Sequence, residues 1–144
     1  MRPIDPGKAY RQVSTQTASA GQLVLMLYDG AIRFLERALL GFDREDPAEF
    51  HETIHNNVQR AQAIITELDL SLNLNEGGEL GATLHRLYEY LNGRLHESNL
   101  HKTEDGIREA IQRLSVLRDA WSKMLQGPAL VGPRTSARIA RTTA

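Results

Sequence analysis

Histidines and carboxylates are the side chains of this sequence whose spacing could support metal chemistry. His51 and His55 lie four residues apart, which on a helix places both rings on one face. Glu52 and His55 form one Glu-x-x-His motif, but a di-metal site in a helical bundle needs two such motifs and two further glutamates. None of the other three histidines has a glutamate three residues before it. We therefore predict no metal site and interpret these residues as solvent-facing.

The sequence also lacks cysteine and the common motifs for nucleophilic catalysis and phosphate binding. The chain has no cysteine, which excludes disulfides, thiolate catalysis and cysteine zinc sites. It has no G-x-S-x-G nucleophile elbow and no G-x-x-x-x-G-K phosphate loop. The pair Gly77-Gly78 is typical of a loop that opens a helix. We predict a protein that is not an enzyme and needs no cofactor.

Composition limits the partners and the compartment. The 144 residues suit one domain, with 41% hydrophobic and 24% charged residues. A net charge of −1 gives no indication of a nucleic-acid partner. The longest apolar run, Leu23 to Tyr28, is too short to span a bilayer, and the N-terminus lacks the apolar core of a signal peptide. These features predict a cytoplasmic protein with no membrane insertion.

A first helix is predicted from a capping box at Ser19 and Gln22, in which each side chain satisfies a free backbone N–H of the other residue. The helix runs to about Leu40. Its polar residues form one narrow stripe, and most other positions are apolar or small. Met26 lies on this polar stripe, between Gln22 and Asp29, which predicts that it contacts a partner.

A second helix begins with Asp46 as N-cap and Pro47 at the first helical position, and the pattern breaks over residues 73–78. Its apolar stripe includes Ile54, Val58, Ala61 and Ile65. Ile64 widens the apolar surface beyond a single packing seam. The stripe could therefore belong to the internal core or border a binding groove.

Two more helices follow at similar length. The third runs from about Leu80 to Leu100, and Thr103 is the predicted N-cap of the fourth. In the fourth, apolar residues recur every seven positions, as expected for helices that pack at small crossing angles: Ile107, Leu114 and Trp121. No stretch alternates with a period of two. We predict an all-α, antiparallel up-down four-helix bundle over residues 19–126. Residues 1–18 are predicted to form an N-terminal arm and residues 127–144 a flexible tail.

The residues Leu23 to Leu35, LVLMLYDGAIRFL, strongly resemble the signature of the flagellar secretion chaperone FliS family. Five further stretches agree with that family in order and spacing, namely 9–12, 17–19, 68–80, 87–91 and 117–121. The resemblance covers residues 8–126. One departure is Ala20, where the family usually has proline after the helix-opening serine.

This resemblance implies a cytosolic chaperone that binds the disordered C-terminal region of flagellin in apolar grooves. It further implies that binding prevents premature polymerisation and helps to deliver flagellin to the flagellar export gate. Two sets of contacts follow as expectations: Tyr10 on an arm that covers a groove and contacts the gate, and a groove bordered by Ile54, Val58, Ala61 and Ile65. The alternatives are an arm that simply packs on the bundle and a stripe that is internal core. The alternative function is a structural or regulatory helical bundle with a different protein partner.

Overall fold

Four helices make up the computed structural model, which describes residues 19–75 and 78–131. They are α1 (Ala20–Gly41), α2 (Pro47–Asn75), α3 (Gly78–His101) and α4 (Asp105–Val131). The helices form a ring in which each packs against its neighbours in the chain and α4 returns to α1. The described residues contain no strand. The predicted all-α four-helix bundle is therefore confirmed. Tyr10 and the rest of the predicted arm lie outside the described residues.

The predicted starts of α1 and α2 are both present as hydrogen bonds. Ser19 Oγ accepts from the Gln22 backbone N–H at 3.1 Å, and Gln22 Oε1 accepts from the Ser19 N–H at 3.4 Å. Asp46 Oδ2 accepts from the Glu49 N–H at 2.9 Å. These side chains satisfy backbone donors that have no partner within the helix. The local sequence thus fixes both helix starts without help from the rest of the fold.

The start of α4 differs from the prediction that Thr103 is its N-cap. The helix begins at Asp105, and the Thr103 N–H instead donates to the Ser98 carbonyl at 3.0 Å, which closes the end of α3. Lys102 adopts a left-handed conformation with φ of 53° to allow this closure. The hydroxyl that caps α4 comes from α3, because Ser98 Oγ accepts from the Gly106 N–H at 2.9 Å.

Two helices extend further than their sequences predict. The second helix ends at Asn75, within the segment predicted as a break. The fourth continues past Gln126, through Pro128, to Val131. A proline ring holds φ near the helical value and forfeits one hydrogen bond. Residues 132–144 lie outside the described part of the chain.

The core contains a hydrogen-bonded pair of tyrosines. The hydroxyls of Tyr28 and Tyr88 lie 2.6 Å apart, and both side chains are buried. One hydroxyl donates and the other accepts, so each has a hydrogen-bond partner in an apolar interior where an unpaired polar group is costly. Burial raises the pKa of both phenols above the ordinary value. Tyr28 is thus part of the core, and Trp121 packs against the same core.

Glycines let α1 and α2 approach each other closely. A Cβ on Gly41 would lie 2.9 Å from Ile54 Cγ1, and a Cβ on Gly30 would lie 3.3 Å from Ile64 Cδ1. Real Cβ contacts are rarely this short. A close crossing therefore explains why Gly30 is present despite its cost of roughly 1 kcal/mol in a helix interior. Among the helix pairs, α1 and α2 have the most extensive contact.

Candidate protein-binding surface

A polar cluster fixes the alignment of α3 and α4. The Glu109 carboxylate on α4 accepts hydrogen bonds from Arg94 Nε at 2.9 Å and Tyr90 Oη at 2.8 Å, both on α3. Arg113, one turn further along α4, donates to the same carboxylate at 2.9 Å. The bond from Arg94, followed by those from Tyr90 and Arg113, lowers the pKa of Glu109 to about 2. Glu109 is therefore ionised at neutral pH and joins the two helices.

That alignment brings two apolar stripes face to face. Arg94 beside Glu109 and Ser98 beside Gly106 set an antiparallel register in which Leu87 faces the turn of Leu117. The same register places Leu84 close to the level of Trp121 along the bundle axis, and Leu80 at the level of Met124. On both helices the spacing is i, i+4, i+7, which keeps each stripe on one face. We call this set the open seam: Leu80, Leu84, Leu87, Leu117, Trp121 and Met124.

The open seam becomes more exposed toward the end of the bundle. Leu91 and Leu114, at its inner end, have no exposed surface. Leu84, Leu87, Leu117 and Trp121 are half-buried against the core. At the outer end Leu80 is 65% exposed and Met124 is 55% exposed. An apolar stripe that continues out of the core in this way is a surface suited to an amphipathic helix or apolar segment of another protein.

Contacts with α1 hold the α4 side of the seam in place. Trp121 Nε1 donates to the Gly21 carbonyl at 2.8 Å, and Arg118 Nε donates to Asp29 Oδ1 at 2.7 Å. Both contacts join positions far apart in the chain. They anchor α4 on α1, and Trp121 lies against α1 while it also belongs to the open seam. The seam is therefore lined by helices whose positions are already set before any partner arrives.

The sequence-predicted groove residues occupy a different place. Ile54, Val58, Ala61 and Ile65 have no exposed surface and form the internal stripe of α2. This position corresponds to the alternative interpretation, internal core. Their role as groove residues stays a prediction, and it requires a neighbouring segment to move. Met26 is half-buried on α1, and Tyr10 lies outside the described residues.

The outer end of the open seam was not singled out from the sequence. The i, i+4, i+7 spacing of Leu80, Leu84 and Leu87 was visible, but it indicates an apolar face without showing what covers it. Only the register with α4 brings Leu80 to the same level of the bundle as Met124. The sequence signal that could have found the seam is that both stripes continue to the ends of their helices.

The residues considered as metal ligands do not come together as a site in the described part of the chain. His51, Glu52 and His55 are exposed, and Asn99 Nδ2 donates to His55 Nδ1 at 3.0 Å. Residues 19–75 and 78–131 contain no group of three metal-binding side chains. None of the four helices described is long and apolar enough to cross a membrane. The surface that stands out is an apolar one, suited to protein binding.

Comparison with known proteins identifies the family. The sequence model of the family described as "Flagellar protein FliS" matches residues 4–128, which is most of the chain and includes the whole open seam. The chain belongs to the FliS family. FliS is not an enzyme family.

Individual FliS proteins agree over most of their length. The flagellar secretion chaperone FliS of Bacillus subtilis is 34% identical over 122 residues, covering 85% of this chain and 87% of the relative. FliS of Salmonella typhimurium is also 34% identical, covering 81% and 87%. FliS of Escherichia coli is 32% identical and covers 86% and 92%. The family likeness therefore extends across the whole bundle rather than one motif.

Proposed function

We propose that this protein is an export chaperone for flagellin, and that the open seam binds the disordered C-terminal segment of flagellin. Binding in the cytoplasm prevents premature polymerisation and aids delivery to the flagellar export apparatus. Membership of the FliS family supports the chaperone role, because the relatives are named flagellar secretion chaperones. The observation that carries the binding site is the pair of apolar stripes that emerge from the core between α3 and α4.

The energetics of the seam suit a client that must be released. Burial of apolar surface contributes roughly 25 cal/mol per Å². A disordered segment that folds on binding offsets part of this gain, because ordering it costs several kcal/mol. The flagellin segment could form an amphipathic helix with apolar residues at i, i+4 and i+7. Packing these residues against Leu80 and Met124 would cover the exposed end of the seam. The half-buried residues further in would then form the floor of the site.

The seam is tested by charged substitutions at its outer end. Leu80→Glu with Met124→Glu places two carboxylates where an apolar segment would lie, while both positions are exposed enough for the bundle to fold. We expect the dissociation constant for a purified flagellin C-terminal segment to rise at least about tenfold, measured by isothermal titration calorimetry. Far-UV circular dichroism checks that the helical content is retained.

A matched control uses exposed leucines at the opposite end of the bundle. Leu40 is 62% exposed and Leu100 is 66% exposed, so Leu40→Glu with Leu100→Glu makes the same chemical change away from the seam. This control should bind flagellin within about twofold of the parent. Equal weakening by both pairs would place the binding site elsewhere. Failure of the parent chain to bind the segment at all would refute the flagellin-chaperone function.

Two further parts of the proposal concern residues predicted from the sequence. Tyr10 is proposed to contact the export gate from the N-terminal arm, as the family resemblance implies. Ile54, Val58, Ala61 and Ile65 are proposed as a second contact set that becomes available only if a neighbouring segment moves. Because these four residues are fully buried, substituting them tests the fold before it tests binding.

A further inference from the structure

The face of the bundle opposite the open seam, formed by α1 and α2, carries an unusual group of arginines. The guanidinium carbon of Arg37 on α1 lies 5.5 Å from the centroid of the Phe34 ring, and that of Arg60 on α2 lies 5.8 Å from it. Phe34 is half-buried, and both arginines are exposed. One aromatic ring therefore holds two cations from different helices within cation–π distance.

Neither arginine has a described counter-charge, and what sets them apart from other unpaired arginines such as Arg44 and Arg86 is that both lie over one aromatic ring. Four arginines on α3 and α4 each form an ion pair with a carboxylate, namely Arg94, Arg108, Arg113 and Arg118. In the part of the chain that the structure describes, no carboxylate pairs with Arg37 or Arg60. Arg33, one helical turn before Arg37, is exposed and unpaired in the same region.

The sequence around the cluster explains this lack of neutralisation. The positions three and four residues from Arg37 on α1, and from Arg60 on α2, include no acidic residue. The i, i+4 ion pairs that usually neutralise a helix surface are therefore unavailable. Two guanidiniums held near one ring repel each other, and their N–H edges remain free to bind oxygen acceptors. A guanidinium held on an aromatic face is pre-organised for carboxylates, because less side-chain freedom is lost on binding.

We propose that the cluster of Phe34, Arg37 and Arg60, which we call the basic–aromatic face, docks an acidic segment of a second protein. The segment would present at least two closely spaced aspartate or glutamate side chains, one to each guanidinium. Charge complementarity supports this partner, because the cluster holds two positive charges within about 6 Å of one ring and neither has a paired carboxylate among the described residues. The proposal does not depend on flagellin binding, which would use the opposite side of the bundle.

A model peptide tests this face directly. The probe is an alanine-based helical peptide with glutamates at i and i+4. The control peptide has lysines at the same two positions. We expect the glutamate peptide to bind the full-length protein, with amide shifts centred on Phe34 in a heteronuclear NMR titration. The lysine peptide should not bind. Binding should weaken as sodium chloride is added, because the contacts are exposed charges.

Substitutions decide whether the two arginines are responsible. Arg37→Gln with Arg60→Gln should weaken peptide binding about tenfold. The control, Arg44→Gln with Arg86→Gln, removes the same charge from two exposed arginines that form no described ion pair, and it should leave binding within about twofold.

Three results would overturn the proposal. The first is equal weakening by the two double variants, which would indicate general attraction to positive charge. The second is a lack of parent binding at low-millimolar peptide. The third is tighter, Arg37- and Arg60-dependent binding to phosphatidylserine vesicles than to the peptide, which would assign the face to a membrane.

Discussion

Gly106 lies at a point where α4 approaches α3 closely. A Cβ at this position would lie 2.5 Å from the Arg94 carbonyl oxygen and 2.5 Å from Ser98 Oγ. The first of these atoms belongs to the backbone and cannot rotate away. Gly106→Ala should therefore lower the free energy of unfolding by about 2 kcal/mol or more, measured by urea denaturation, because the helices must separate and the Ser98 cap is lost.

Gly93 provides the matched comparison for that prediction. It lies in the interior of α3, and a Cβ there would meet no atom within 4 Å. Gly93→Ala should raise the free energy of unfolding by up to about 1 kcal/mol, because alanine restricts the unfolded chain and favours the helix. If both variants changed the free energy of unfolding in the same direction, the predicted clash at Gly106 would be refuted.

At the level of elements, His85 joins α3 to α2. Its Nδ1 lies 2.8 Å from Asp69 Oδ1, and its Nε2 lies 3.5 Å from Glu89 Oε2. The hydrogen bond to Asp69 raises the pKa of His85 above its ordinary value, and the charges of Asp69 and Glu89 add to this. The side chain is 44% exposed, so solvent screens the interaction and its effect on stability is small.

The direction of the pH dependence follows from that raised pKa. A histidine whose pKa is higher in the folded state contributes its full stabilisation below the unfolded pKa of about 6.5. This contribution is lost as pH rises through the folded pKa. The urea midpoint of the parent should therefore fall more between about pH 6 and about pH 8.5 than that of Asp69→Asn. The other histidines are the same in both proteins, so identical pH slopes would show that the pair does not link α2 and α3.

Much of the fold could be predicted from capping residues and the periodicity of apolar residues along the chain. Ser19 and Asp46 act through neighbours three residues away, so the local sequence contains the whole signal. Thr103 was assigned wrongly because the hydroxyl that caps α4 comes from Ser98, on another helix. Periodicity also identified the apolar face of α2 but could not show which neighbour covers it. That information depends on packing, which placed Ile54 and Val58 inside.

For the molecule as a whole, the two proposed sites lie on opposite faces of the ring of helices. The open seam is between α3 and α4, and the basic–aromatic face is between α1 and α2. A flagellin segment and an acidic partner would therefore not overlap if each stays on its own face. The internal core between them is continuous and shared by all four helices.

Simultaneous occupancy is the expected result. The affinity of the glutamate peptide should change by no more than about twofold when the flagellin segment is saturating, and the reverse should hold, because coupling between binding sites is reciprocal. Calorimetric titration of one ligand into the preformed complex with the other measures this directly. Mutual exclusion would show that at least one ligand occupies both faces or that the bundle rearranges between them.

Trp121 is the sole tryptophan of the chain, and it lies within the open seam with its indole N–H tied to the Gly21 carbonyl. The indole therefore reports on the seam without any added dye. An apolar segment that displaces solvent from its half-exposed ring would shift the emission to shorter wavelength, whereas occupancy of the distant arginine cluster would leave the spectrum unchanged. The fluorescence of Trp121 therefore distinguishes binding at the open seam from binding at the basic–aromatic face.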